Sequence, residues 1–307
     1  MDDGRPATGS GAWRVVVLTN IPGGRIYSLV DAVLRPLGHR VAGVLTSPGP
    51  KRRRSASYLG VVAAVPPGID VIVSNHPDRW AAMLAPLRPD LIICGGMPWR
   101  IPPEVLALPR LGAINLHPAL LPKYRGPAAI EWAFRNGDRE TGFTIHRISP
   151  EFDTGAILAQ ARIPIDDGDD IDSLVAKFGP VLPGLLGQAL DRVAAGDPGD
   201  PQDETGATYA GLFEDAWRRI DWTTPARTVH AQVRSWTGTR DIPKGAWGEV
   251  DGEPLLITRT RLLPTSATVP GDVPPGTALC RDGERVVVQC GDGPIEVVVW
   301  DRAEVSG

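Results

Sequence analysis

Cysteine is scarce in this chain: Cys94, Cys280 and Cys290 are the only three in 307 residues. Three scattered thiols are too few for a disulfide framework or a cysteine-based zinc site, and they fit a reducing cytoplasm. Excess charge of one sign is lacking too. The net charge is −4, so the protein as a whole is no general polyanion binder, and contact with nucleic acid needs a local basic patch. No run of about 18 apolar residues occurs, which excludes a membrane-spanning helix. The opening MDDGRPATGSGAW is acidic where a signal peptide is basic and leads to no apolar core, so residues 1–12 read as a disordered leader. A G-x-S-x-G nucleophile elbow is missing and no Cys adjoins a His in sequence, which argues against a covalent acyl-enzyme.

What is present has the composition of an ordinary globular protein, 42% apolar and 22% charged, and a length that suggests two domains. Short β-branched runs at 13–20, 39–47, 69–74, 89–96 and 112–117 read as strands, and the stretches 25–38, 80–88 and 129–137 show helical spacing. Near-continuous apolar strands alternating with helices predict an α/β fold: a doubly wound, mostly parallel sheet covered on both faces. Strands at 141–149 and 155–165 would extend one edge, and a helical stretch at 170–196 is interrupted near Pro180 and Pro183. Composition then shifts to Gly, Pro and Asp. Residues 201–212 read as a linker between a catalytic domain at 13–200 and a smaller one at 213–307. After a helix at 225–238, short strands at 255–263, 276–282, 285–292 and 295–305 give the smaller domain the pattern of an antiparallel β-barrel.

Chemistry concentrates at the end of the fifth strand, in INLHPALLPKYRGP. Residues i and i+2 of a strand share a face, so Asn115 and His117 point together at the carboxyl end, where open parallel sheets form their ligand crevices. Pro118 and Pro122 stop the ladder and stiffen the loop beside the pair. Asp153, in EFDTGA, is a third polar candidate. An amide donor, an imidazole and a carboxylate meeting in one crevice suit acyl transfer: the amide binds an oxyanion, the imidazole moves protons, the carboxylate holds the imidazole. His146 reads as a core histidine or a supporting group behind Asp153. His39, His76 and His230 read as surface residues, and Trp217, Trp222, Trp236 and Trp247 as packing groups of the second domain.

The block from Ile114 to Gln160 resembles the catalytic core of the 10-formyltetrahydrofolate-dependent formyltransferases, which reads N-x-H, then S-L-L-P, and later D-x-G. RIDWTTPARTVHAQVRSWTG, at 219–238, is similar to the segment that opens the C-terminal domain of the methionyl-tRNA-specific branch, and the strands after it match that branch's OB-like barrel. The resemblance implies that Asn115, His117 and Asp153 are catalytic. A protonated His117 and Asn115 would stabilise the oxyanion, with Asp153 orienting the ring. It further implies that Leu120, Leu121 and Pro122, with Met97 and Arg100, line the folate site. The formyl donor would be 10-formyltetrahydrofolate, with no metal.

The sequence departs from that family at several points. Ala119 stands where the family has Ser, which removes a hydroxyl from the loop. The first βα turn carries Gly23, Gly24 and Arg25, an expected anion site for the acceptor at a helix N-terminus. The basic run with Arg52, Arg53 and Arg54 falls where the tRNA-specific enzymes carry a basic insertion, but it is shorter. The acceptor expected from the second domain is methionyl-tRNA. The alternative is a small-molecule amine, such as an amino sugar or amino acid, which the acidic linker, the net charge and His146 favour. An alternative of another class is a non-catalytic folate- or RNA-binding protein.

Overall fold

The computed structural model describes residues 11–50, 55–237, 245–264, 273–283 and 285–302. The elements follow in order: β1 (Arg14–Thr19), α1 (Arg25–Leu34), β2 (Arg40–Thr46), α2 (Ser55–Ala64), β3 (Asp70–Val73), α3 (Trp80–Leu84), β4 (Leu91–Gly95), α4 (Pro103–Leu106) and β5 (Ala113–His117). Then come α5 (Ala129–Arg135), β6 (Glu140–Arg147), β7 (Ile157–Pro164), α6 (Ile171–Phe178), α7 (Leu182–Ala194), α8 (Ala226–Ser235), β8 (Ala246–Val250), β9 (Glu253–Leu262), β10 (Ala278–Asp282), β11 (Arg285–Gln289) and β12 (Pro294–Arg302).

Strands β1 to β7 form one seven-stranded sheet in the order β3-β2-β1-β4-β5-β6-β7. Its first five members run parallel, and β6 is antiparallel to β5. The order reverses at β1, the crossover pattern of a doubly wound fold, as the alternation of apolar strands and helices predicted. Val15, Val16, Val17 and Leu18 of β1 and Leu91, Ile92 and Ile93 of β4 are fully buried. Burying side chains of this kind contributes about 1.5–3 kcal/mol each, which is why the central strands carry no polar alternation. The five remaining strands form an antiparallel sheet, ordered β10-β11-β12-β9-β8. Its core gathers Val250, Leu255, Ile257, Val286, Val288, Ile295 and Val297 against Trp222 and Trp236.

Two compact units divide the chain, and they interleave along it. One takes Met1–Pro127, Gly142–Ala161 and Gly179–Tyr209; the other takes Ala128–Thr141, Arg162–Phe178 and Ala210–Gly307. The second unit holds α5, α6 and α8 as well as the small sheet. Three elements went unread in the sequence, the four-residue helix α4 among them. Helix α2 follows the basic run and is apolar along most of its length, with no amphipathic stripe to reveal it. Strand β8 carries Gly248, a residue that weakens any strand signal. His230 corrects the expectation of a surface residue: it is 2% exposed on α8, where its Nε2 donates to the Asp167 carbonyl at 2.9 Å and its Nδ1 accepts from Thr260 at 2.8 Å.

Candidate active site

Strand β5 ends at His117 because Pro118 follows it, and the Ala119 amide turns back to the His117 carbonyl at 3.0 Å. The register of β5 against β6 sets Asn115 opposite His146 and His117 opposite Thr144. All four side chains therefore share one face of the sheet. The loop after β6 brings Asp153 to this face. Asp153 sits at φ +56, an unusual backbone conformation for a residue with a side chain. Two residues on, a Cβ at Gly155 would lie 1.8 Å from the Arg147 carbonyl oxygen, so only glycine fits.

The three residues expected to be catalytic come together. Asn115 Nδ2 donates to Asp153 Oδ1 at 3.1 Å, and Asp153 Oδ2 lies 3.6 Å from His117 Nδ1. The Gly126 amide donates to the same Oδ2 at 2.8 Å. His117 Nε2 is 2.8 Å from the Tyr124 carbonyl, which can only accept, so Nε2 carries hydrogen and Nδ1 turns toward the acid. The same reasoning puts hydrogen on His146 Nδ1, 2.7 Å from the Arg147 carbonyl, and leaves its Nε2 to accept from Asn115 at 3.2 Å.

Electrostatics follow from burial and these contacts. Burial raises the Asp153 carboxyl, but its close neighbours His146 and His117 and the Gly126 amide outweigh it and hold the acid down at about 2. Burial pushes the His117 imidazole below its usual value against the opposing pull of Asp153, so the resting ring is neutral. Both Asn115 amide hydrogens are engaged, one by His146 and one by Asp153.

The loop after His117 is pinned from β6 and β7. Thr144 Oγ1 donates to the Ala119 carbonyl at 2.6 Å and accepts from the Leu121 amide at 3.2 Å, and Gln160 Nε2 holds the Leu121 carbonyl at 3.0 Å. The hydroxyl absent at Ala119 leaves the loop fixed through its backbone. Of the residues expected to line a folate site, Leu121 is buried, while Leu120, Pro122 and Met97 are half-buried. Arg100 is exposed, paired with Glu151 at 2.8 Å and 5.4 Å from the centre of the Phe152 ring, directly ahead of Asp153.

The expected acceptor residues are placed differently. Gly24 is buried, and a Cβ there would lie 2.5 Å from that of Ala64, so this glycine serves the packing of α2. Gly23 and Arg25 are exposed at the start of α1. Arg52, Arg53 and Arg54 lie outside the described residues. Sequence reasoning missed the backbone partners Tyr124 and Gly126 and the side chains of Thr144 and Gln202. It left His146 undecided, although an antiparallel strand beside β5 was the signal that could have paired it with Asn115. Among the described residues no cluster of His, Cys, Asp and Glu could hold a metal ion, and no helix is long and apolar enough to cross a membrane.

Comparison with known proteins finds relatives along most of the chain. A family model described as formyl transferase matches residues 38–189, and one described as formyl transferase, C-terminal domain, matches 214–304. A methionyl-tRNA formyltransferase of Pelobacter propionicus is 33% identical over 268 residues, 84% of this chain and 80% of the relative. One from Thiobacillus denitrificans is 34% identical over 264 residues, 84% of this chain and 82% of the relative. Among solved structures, the sugar 3N-formyl transferase WlaRD, in the presence of dTDP and 5-N-formyl-THF, superposes with a TM-score of 0.67 at 15% identity. The match covers 96% of this chain and all of that one (100%). HypX from Aquifex aeolicus with tetrahydrofolic acid gives 0.63 at 23% identity over 96% of this chain and 45% of that one.

Proposed function

The chain belongs to the formyl transferase family and is a formyl-transferring enzyme, and from that premise we propose that it moves the formyl group of 10-formyltetrahydrofolate to the amino group of methionyl-tRNA. The observation that carries the chemical half is the meeting of three side chains distant in sequence: Asp153 lies 3.1 Å from Asn115 and 3.6 Å from His117 in a largely buried setting. The donor supplies an activated formyl carbon; the new C–N bond forms as the bond to the folate N10 breaks, and the amine's proton ends on N10.

The chain's own residues divide that work. His117, neutral at rest and held through Nε2 by the Tyr124 carbonyl, uses Nδ1 to take and return the proton. Asp153, ionised, faces that edge of the ring and offsets the charge the ring acquires. Asn115 turns an amide hydrogen from its internal partners toward the formyl oxygen as negative charge develops there. Leu120, Leu121, Pro122 and Met97 supply apolar surface for the folate ring system, and Arg100 a cation for its acidic tail. Gly23 and Arg25, with Arg52, Arg53 and Arg54, would meet the acceptor.

The acceptor assignment rests on the relatives at 33–34% identity, which are methionyl-tRNA formyltransferases over both segments of the chain. The second reading is a small-molecule amine. It is favoured by His146 at the heart of the polar cluster and by the net charge of −4. The test offers the purified enzyme and formyl donor either charged initiator tRNA or a panel of amino sugars and amino acids. Formylated methionyl-tRNA, with turnover falling steeply between about 50 and 200 mM salt, is the expected result. Formylation of a small amine alone, indifferent to salt, overturns the tRNA reading.

A further inference from the structure

We propose that Gln202 is a positioning residue: its carboxamide locks the turn carrying Asp153 to the loop whose backbone orients both His117 and Asp153. The proposal rests on the reading of Asn115, His117 and Asp153 given above. Gln202 lies in a Gly/Pro/Asp-rich stretch with the composition of a linker, yet Asp200, Gln202, Thr205, Ala207 and Thr208 of this stretch are all hydrogen-bonded.

Gln202 Nε2 donates to two carbonyls, those of Asp153 and Gly155, each at 2.8 Å. Gln202 Oε1 accepts from Arg125 twice, from Nε at 3.0 Å and from Nη2 at 2.8 Å. One amide thus spends both hydrogens and both lone pairs, its full capacity. The far edge of the Arg125 guanidinium closes on Glu204 as a fork, at 2.9 and 2.7 Å. Thr208, further along the same stretch, is tied to the same loop. The Tyr124 amide donates to Thr208 Oγ1 at 2.8 Å, and the Arg125 amide to the Thr208 carbonyl at 2.9 Å.

Arg125 lies between the two groups that aim the catalytic pair. The residue before it, Tyr124, offers its carbonyl to His117, and the residue after it, Gly126, gives its amide to Asp153. Gln202 therefore closes a ring from His117 through Tyr124 and Arg125 to the Asp153 turn. The turn needs a clamp. Asp153 is held at φ +56, in the left-handed region that strains a residue with a side chain, and Gly155 is jammed against Arg147. The carbonyls of Asp153 and Gly155 both take their hydrogen from the one Gln202 amide. Among side chains, only a carboxamide can give two hydrogens to one loop and accept two from the other; Asn is a methylene short.

Gln202→Glu separates this role from mere bulk, because the carboxylate still accepts from Arg125 but has no hydrogen for the two carbonyls. In the full chain with formyl donor and acceptor, kcat should fall on the order of 10- to 100-fold while both KM values stay within about 2-fold, the pattern of a misplaced reacting group. Gln202→Ala should match that loss. A readout independent of turnover is the NMR titration of the His117 ring, which faces Asp153 on Nδ1, the Tyr124 carbonyl on Nε2 and His146 at its edge. Displacing Asp153 removes the charge that raises this ring, so its midpoint should drop in Gln202→Glu.

An unchanged kcat together with an unchanged His117 midpoint overturns the proposal. If the wild type formylates no acceptor, the proposed function fails and the ring titration alone decides the positioning role. If both Gln202 variants fail to fold, Glu204→Ala, whose carboxylate is largely exposed, decides it: a few-fold loss in kcat at constant KM supports the clamp, and no loss overturns it.

Discussion

Each compact unit buries a histidine against a backbone carbonyl, with His146 a second such ring in the first unit, and His230 and His117 differ in what stands on the other side of the ring. His230, in the second unit, is saturated by neutral partners: Nε2–H donates to the Asp167 carbonyl and Nδ1 accepts from Thr260. Burial first, and then Arg234, push it down to about 4, so it stays neutral. His117, in the first unit, gives Nε2–H to the Tyr124 carbonyl but sets Nδ1 3.6 Å from an ionised acid, beyond hydrogen-bond reach. Burial alone does not make a histidine chemical. A ring whose second nitrogen faces a charge rather than a bond is one that can change its protonation during a reaction.

The sharpest way to break this contrast is His117→Ala. If His117 carries the proton, turnover should fall about 100- to 10,000-fold with stability little changed, measured as kcat beside a denaturation midpoint. A loss of stability without loss of kcat would make His117 another His230. Asp153→Asn comes next. It keeps the shape of the turn but removes the charge facing Nδ1, and should lower kcat on the order of 100-fold or more. The Asp153 carboxyl sits at about 2, below its ordinary value, so its stabilising contribution is complete above about pH 4 and is lost as pH falls through about 2. Activity between pH 6 and 8 should therefore show no limb from this acid, and a limb there that vanishes in Asp153→Asn would contradict its ionised state.

Much of the first unit was legible because its signals are local. Asn115 and His117 stand two apart at the end of an apolar strand, and Pro118 marks where that strand stops. The alternation of apolar strands and helices fixed the parallel sheet. What stayed hidden depends on partners far along the chain. His146 joins the site only through the register that sets it against Asn115, and strand pairing is not written in either strand alone. Gln202 hides in a stretch whose composition says linker, because composition reports backbone freedom and not the hydrogen bonds that remove it. His230 was misread for a related reason: α8 has few apolar residues, and the partners that make its polar face bury, Thr260 and Asp167, come from β9 and from the loop before α6.

The second unit offers the reverse test, in which a buried histidine should matter for stability and leave catalysis alone. The gap between the ordinary 6.5 and about 4 at His230 corresponds to on the order of 3 kcal/mol. The folded value is the lower one. The contribution is therefore whole above about pH 6.5 and is lost as pH falls toward 4, because the unfolded chain takes the proton first. Between pH 7 and pH 5 it accounts for about 2 kcal/mol. His230→Gln retains an N–H for Asp167 and an oxygen for Thr260 but does not titrate. Denaturant midpoints at the two pH values should show a flatter slope than in the wild type, reduced by about that amount, with kcat unchanged. His117, also lowered by burial, adds a contribution of the same sign that this variant leaves in place.

The smallest effect isolates the saturation itself. His230 cannot switch tautomer, since Nε2 must keep its hydrogen for the Asp167 carbonyl, and so Nδ1 depends on the Thr260 hydroxyl. Thr260, on β9, is 7% exposed, leaving no ready path for water to replace it. Thr260→Val keeps the side chain's shape and strands the Nδ1 lone pair, which should cost about 1 kcal/mol in an equilibrium denaturation measurement. Thr260→Ser restores the hydroxyl and should recover most of that loss, apart from one buried methyl. In the first unit no equivalent cost attaches to His117 Nδ1, whose neighbour is a charge at 3.6 Å rather than a hydrogen-bond partner. If Thr260→Val proves neutral, His230 is not held by saturation, and the distinction drawn between the two rings loses its structural half.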